Sequence, residues 1–489
     1  MNIYSLFEAA FRRAGEAAAL IRPGGGDWTY ARLLAEVDRA GVALAAWGVG
    51  VGDRVLVQAE KTPEAVALYL ACVKSGAVYV PINTAYTQPE VEYFIADCRP
   101  ALFVAGGRFD AEVPVAVLAG EGSGSYWRET AVATVPTVDR ADDDVAAIVY
   151  TSGTTGRPKG AMLTHANLTT NAEVLCAAWG WRDDDVLLHA LPIFHVHGLF
   201  VALHCAFLHA TPVVLLKRFD VAAVVEQLSR ATVLMGVPTF YTRLLGDPSF
   251  DAASCRNMRV FISGSAPLTE QTFAAFEQRT GFQILERYGM SETLMNTSNP
   301  LEGERVAGTV GFALPGIAVR VADDDGNELP RGEVGNIELR GPNVFKGYWQ
   351  QPERTAEEFR DDGFFVTGDM GAMGGDGRLT IVGRTKDLVI SGGYNVYPKE
   401  VEALLDEMPE VVESAVIGVP HPDFGEAVVA VVVAEHGVDQ ARVDQFLGGR
   451  LARYKHPKRV VRVDELPRNA MGKVQKNVLK ETHADVLET

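Results

Sequence analysis

Three groups of residues in this chain have the types and spacing to handle anions. The segment Tyr150 to Gly160, YTSGTTGRPKG, combines glycines and hydroxyls with Lys159. Backbone N–H groups and hydroxyls of such a loop can surround a phosphate chain while the ammonium adds charge. The spacing is not GxxxxGK[ST], so this is not a Walker loop. A second group is Arg243 in VPTFYTRLL and Arg287 before Tyr288, two guanidiniums in otherwise apolar or functional settings. A buried carboxylate needs such a partner, and the guanidinium fork can hold it through two parallel hydrogen bonds. His195 and His197 add donors nearby; two histidines at this spacing, with no third ligand evident, do not make a metal site. The third group is the basic run Arg450, Arg453, Lys455, His456, Lys458, Arg459 and Arg462, which suits phosphates and equally suits a solvated charged face.

These residues need a frame. From about residue 52 to 290 short β-branched runs (VYVPIN, AAIVYT, VVLL, ATVLMGV, RVFISG) alternate with helical patterns such as 62–75 and 269–279, the signature of parallel strands with helical crossovers. The loop at 150–160 follows an apolar strand and precedes a helix beginning near His165. After about residue 305 the chain turns to short strands broken by glycines, which predicts a small antiparallel sheet or barrel. From 387 onward DLVIS, VEALLDEM, ESAVIGVP and AVVAVVVAE suggest an α+β unit of about 100 residues, a domain-sized piece. The expectation is an α/β protein in which 1–385 forms a large N-terminal domain of layered α/β subdomains with a small β-barrel-like subdomain. A small mobile α+β domain then spans 386–489.

At 489 residues with 47% apolar and 22% charged side chains, the chain is too long for one ordinary core. Its net charge of −18 leaves no overall positive field for nucleic acid or an anionic membrane. An anionic substrate must be captured by local groups. The five scattered cysteines lack CxxC spacing and argue against a disulfide framework or thiolate zinc site. No secretory h-region opens the chain, no stretch reaches roughly 18 unbroken apolar residues, and a soluble cytoplasmic protein is expected.

YTSGTTGRPKG is similar to the phosphate-loop signature of the adenylate-forming superfamily of acyl-CoA synthetases, luciferases and peptide-synthetase adenylation domains. Further blocks match in order: FHVHG at 194–198, SGSAP at 263–267, YGMSET at 288–293, TGD at 367–369, GRTKDLVISGGYNVYPKEVE at 383–402 and PRNAMGKVQK at 467–476. The resemblance implies that Thr151, Ser152, Gly153, Thr154, Thr155, Gly156 and Lys159 cradle the β,γ-phosphates of ATP. Glu292, with Thr155, matches the magnesium site, and Thr293 a residue near the α-phosphate. Tyr288 would lie against adenine, with Gly264, Ser265 and Ala266 opposite and Glu286, Arg287 and Gly289 in the same binding stretch. Asp369 and Arg384 resemble the pair that binds the ribose hydroxyls. Lys473 matches the catalytic lysine, although a lone lysine in a polar loop would otherwise read as a surface charge. Two half-reactions are implied, formation of an acyl-adenylate and its capture by coenzyme A, with the small domain turning about Lys386 between them. Ser391, Gly392, Gly393 and Arg453 would then meet coenzyme A.

The stretches HALPIFHVHGLF, MGVPTFYTRLL, LERYGMSETLMNTSNP and PNVFKGYW look like those of malonyl-CoA synthetases. That likeness places His195, Arg243, Ser263, Arg287 and Met290 around the acid, malonate or methylmalonate. Arg287 is the favoured anchor because it adjoins the nucleotide motif; the competing arrangement pairs it with Glu286 at the surface. Ligases for monocarboxylic or aryl acids, carrier-protein adenylation and a non-catalytic nucleotide-binding protein are rival readings. Lys159, Glu292, Asp369, Arg384 and Lys473 are all present, which argues against the last.

Overall fold

In a computed structural model that describes residues 1–120, 122–127, 133–151, 158–434, 437–469 and 472–487, the β-branched runs become the centres of two sheets. In the first, Arg54–Gln58, Val78–Pro81, Leu102–Ala105 and Val115–Val117 run parallel, and Val145–Thr151 joins them beside Val78–Pro81. Val145–Thr151 then pairs antiparallel with Lys159–Thr164, so Lys159 opens a strand opposite Thr151. The glycine-rich segment therefore links two strands of a hairpin, and the helix His165–Ala178 follows only after the second. Thr164 and Asn167 close that helix start with a reciprocal capping box.

The second sheet has nine strands, with Leu187–His189, Val213–Leu215, Val233–Gly236, Val260–Ser263 and Leu285–Met290 parallel at its centre. Val233–Gly236 and Val260–Ser263 are buried at every position, which is why they read as continuous apolar runs. Leu294–Ser298 then folds back antiparallel on Leu285–Met290. The helix Pro63–Lys74, capped by the Thr62 side chain and with proline in its first turn, is buried almost all round, and its Lys74 ammonium is neutralised by Asp38 at 2.6 Å. The HGLF end of the FHVHGLF segment lies in a fully buried π-helical stretch, His197–Leu203.

Beyond residue 305, Ala318–Ala322, Val334–Arg340, Phe365–Met373 and Leu379–Arg384 form an antiparallel sheet in chain order. The C-terminal unit has its own five-stranded sheet, with Val411–His421 and Gly425–Ala434 as its long strands. Its helix at 401–408 begins earlier than the sequence pattern indicates, at Pro398, because proline is well suited to the first helical turn. The apolar clusters on the two faces of this sheet draw only on residues from Val389 onward, as expected of a separate domain. All five cysteines are free and buried, and among the described residues no helix is long and apolar enough to cross a membrane.

Candidate active site

Val260–Ser263 and Leu285–Met290 lie side by side, with Ser263 opposite Glu286. Successive side chains of a strand face opposite ways, so Glu286 and Arg287 diverge. The Glu286 carboxylate accepts from the Leu268 N–H at 3.2 Å. Burial lifts its pKa to about 7 despite the pull of Lys399. Arg287 is only 2% exposed, and none of its three guanidinium nitrogens has a hydrogen-bond partner among the described residues. Burial pushes this guanidinium down to about 9. The surface pairing of Arg287 with Glu286 is thereby excluded.

Ser263 Oγ and His197 Nε2 are likewise buried without partners among the described residues. His197 Nδ1 stands 3.3 Å from Ser265 Oγ, and the His197 N–H donates to His195 Nδ1 at 3.2 Å. Burial, then Lys473 and Arg287, push His195 down to about 3, so it is a neutral ring at physiological pH. Gly264 leaves the space that Arg287 fills, and Gly289 admits the Leu294 carbonyl, which would stand 2.1 Å from any Cβ there. Met290, half-buried, packs against the main core. Arg243 does not join this group. In the helix Pro238–Leu245 the buried positions are Tyr241 and Leu244, which leaves Arg243 on the exposed face.

Among the residues expected to meet the nucleotide, Asp369 and Arg384 are cross-strand partners, with Arg384 Nε 3.0 Å from Asp369 Oδ1. The Tyr288 hydroxyl donates to the other oxygen at 2.6 Å. Glu292 is buried, accepts from Thr151 Oγ1 at 3.1 Å, and has its pKa raised by burial. Tyr348 Oη lies 3.2 Å from Glu292 and 2.7 Å from Glu358, while Lys159 Nζ lies 2.8 Å from Glu358 and 4.0 Å from the Tyr348 ring centroid. Tyr348 and Glu358 went unnoticed in the sequence, although Tyr348 stands in the PNVFKGYW stretch. Thr293 is fully buried, and its hydroxyl accepts from Asn296 at 2.7 Å. Ser265 and Ala266 are half-buried. Ser152, Gly153, Thr154, Thr155 and Gly156 lie outside the described residues.

Lys473 reaches this site from the small domain. Its ammonium feels Arg384, Asp369, Glu292 and Arg287, and burial with Arg384 lowers its pKa to about 8. The preceding Gly472, at φ +72°, packs on Thr239 of the large domain, whose Oγ1 would stand 3.0 Å from an added Cβ. Lys399 makes a second contact, donating to the Ile381 carbonyl at 3.0 Å. Lys386 is exposed in the turn Thr385–Asp387. Ser391 is buried, whereas Gly392, Gly393 and Arg453 are exposed. Part of the basic run is neutralised locally, with Lys455 2.5 Å from Glu400 and Arg450 3.1 Å from Glu407.

Residues 7–349 match the family described as AMP-binding enzyme, and 400–473 match the AMP-binding enzyme C-terminal domain. The chain belongs to this family. The ATP-bound structure of MatB from Rhodopseudomonas palustris is 51% identical, with a TM-score of 0.95 over 99% of this chain and all of that one. The malonate–CoA ligase of Arabidopsis thaliana is 33% identical over 98% of this chain and 89% of its own length. A feruloyl-CoA synthase of an Amycolatopsis species is 37% identical over 96% of both. Within the family the chain is an ATP-dependent acid–CoA ligase, and its substrates are a small-molecule acid, ATP and coenzyme A.

Proposed function

We propose that the acid is malonate, converted through malonyl-adenylate to malonyl-CoA with release of AMP and pyrophosphate, and that methylmalonate is a second substrate. The observation that carries this reading is the guanidinium of Arg287, without a partner among the described residues, beside His197, which feels its charge and whose Nε2 likewise has no partner among them. An unpaired buried cation is costly, and a second carboxylate on the substrate relieves that cost by taking two parallel hydrogen bonds. A monocarboxylate would leave Arg287 unpaired.

In this reading the first carboxylate lies toward Lys473, whose ammonium draws it to the α-phosphate and balances charge as the acyl-phosphate bond forms. Asp369 and Arg384 take the ribose hydroxyls, Tyr288 stacks on adenine, and Lys159 leaves Glu358 for the outer phosphates. Thr293 sits near the α-phosphate. Glu292, a single buried carboxylate, fits a magnesium ion that keeps its other positions for phosphate oxygens and water. That ion would neutralise charge on the phosphates. The small domain, 386–489, turns about Lys386 for the second half-reaction, withdrawing Lys473 and bringing Ser391, Gly392, Gly393 and Arg453 toward coenzyme A.

The test is ATP- and CoA-dependent AMP release with malonate, methylmalonate, succinate, acetate and 4-coumarate, on the wild type and Arg287→Ala. Malonate should lead and be lost selectively in the variant. A leading monocarboxylate, unaffected by Arg287→Ala, would sink the diacid assignment.

A further inference from the structure

Arg468 and Asn469 form an anchored clamp with Gly472 and Lys473. Arg468 and Val474 face each other as an antiparallel bridge. The Asn469 N–H donates to the Lys473 carbonyl at 2.9 Å, and the Lys473 N–H donates back to Asn469 Oδ1 at 3.0 Å. The Arg468 guanidinium spans this turn in two directions: Nη1 donates to the Gly472 carbonyl at 2.6 Å, and Nη2 pairs with the Glu413 carboxylate. Glu413 belongs to Val411–His421, a long strand at the edge of the small-domain sheet. Gly472 is also the point at which this turn meets Thr239 of the large domain. Ala470 and Met471 lie outside the described residues.

We infer that Arg468, held by Glu413, is a positioning residue that fixes the peptide carrying Lys473, so that the lysine is aimed when the domain docks. The inference rests on the proposed role of Lys473 in adenylation. The physical reason is geometric. A lysine has a long flexible stem with several rotatable bonds, and its aim is only as good as the backbone it starts from. One cation tying the carbonyl just before Lys473 to a sheet strand restrains the peptide from which the lysine starts. A misplacement of about 1 Å at a reacting group costs on the order of a hundredfold in rate.

The inference separates the two half-reactions, because Lys473 is needed in only one. Adenylation is read by acid-dependent exchange of labelled pyrophosphate into ATP, and thioester formation by CoA-dependent AMP release from supplied acyl-adenylate. Arg468→Gln and Glu413→Gln should lower the exchange turnover by on the order of tenfold to a hundredfold. The KM values for ATP and acid should stay near wild type, as should the thioester half-reaction. Arg468→Lys, which keeps the charge but not the fork, should recover part of the loss. Equal loss in both half-reactions, or a melting temperature that falls in step with activity, would reduce Arg468 to a structural role and overturn the inference. So would unchanged exchange. Lys473→Ala run alongside separates the two failures. Exchange lost in Lys473→Ala but kept in Arg468→Gln refutes the clamp alone, whereas exchange kept in Lys473→Ala refutes the role of Lys473 and the clamp with it.

Discussion

A Cβ atom added to Gly264 would stand 2.5 Å from Cζ of Arg287 and 2.6 Å from its Nη1, so the guanidinium occupies the space a side chain would take. Gly264→Ala must push Arg287 out of place. The expected result is a higher KM for the acid, with selectivity for dicarboxylates falling toward that of Arg287→Ala. Steady-state kinetics with malonate and acetate decide it, and unchanged selectivity would mean that Arg287 does not set it.

Lys473 should impose an alkaline limb on adenylation. Its pKa is lowered to about 8, and in the proposed role the charged ammonium is the working form. Activity dependent on that charge is present below about pH 8 and lost as pH rises through it. The pyrophosphate-exchange rate measured from pH 6.5 to 9.5 should show the limb. In Lys473→Arg the limb should vanish from whatever rate remains, since a guanidinium stays protonated across that range. A limb that persists in the variant would belong to another group.

Asp369 accepts from Tyr288 and pairs with Arg384; in the proposed reading it thereby steadies the adenine platform and meets the ribose. Hydrogen bonds to a charged group contribute about 1.5–3 kcal/mol, or roughly 10- to 150-fold in affinity. Asp369→Asn should raise the KM for ATP within that range and leave the KM for the acid roughly unchanged. A titration of ATP binding by calorimetry gives the same quantity without turnover.

Glu338 tests stability apart from chemistry. It is fully buried, and its two oxygens meet Arg320 at 2.7 Å and Arg360 at 2.9 Å. Removing one partner of a buried ion pair costs about 3–5 kcal/mol. Glu338→Ala should shift the urea midpoint accordingly, while the folded fraction keeps its acid preference. A shift of under about 1 kcal/mol would mean that the arginines find water instead.

Much of the candidate site was legible because its residues lie within short motifs. Arg287, Tyr288, Glu292 and Thr293 occupy one hairpin, and Asp369 and Arg384 a cross-strand pair, so sequence order and spatial order agree. That Arg243 is exposed could not be read from its apolar neighbours, which are informative only once the helix phase is known; Tyr241 and Leu244 take the inner face. Lys159 was read into a loop because the strand it opens, KGAMLT, is buried on both faces except at Met162 and shows no alternation. Glu358 was invisible because it reaches Lys159 across 199 residues of chain, through folding alone. The basic run looked like one cation cluster, yet Glu400 and Glu407, from a distant helix and turn, neutralise two of its members.

Arg287, Ser263 and His197 all belong to the large domain, whereas Lys473 arrives on a domain with its own core. In the proposed reading, the groups that select the acid and the lysine that assists adenylate formation therefore lie in different stretches of the chain. Acid selection and the contribution of Lys473 should be separable by recombination. A hybrid that joins residues 1–385 of this chain to the small domain of another acid–CoA ligase should inherit its taste in acids from the first parent, provided that the surface around Thr239 still receives the incoming turn.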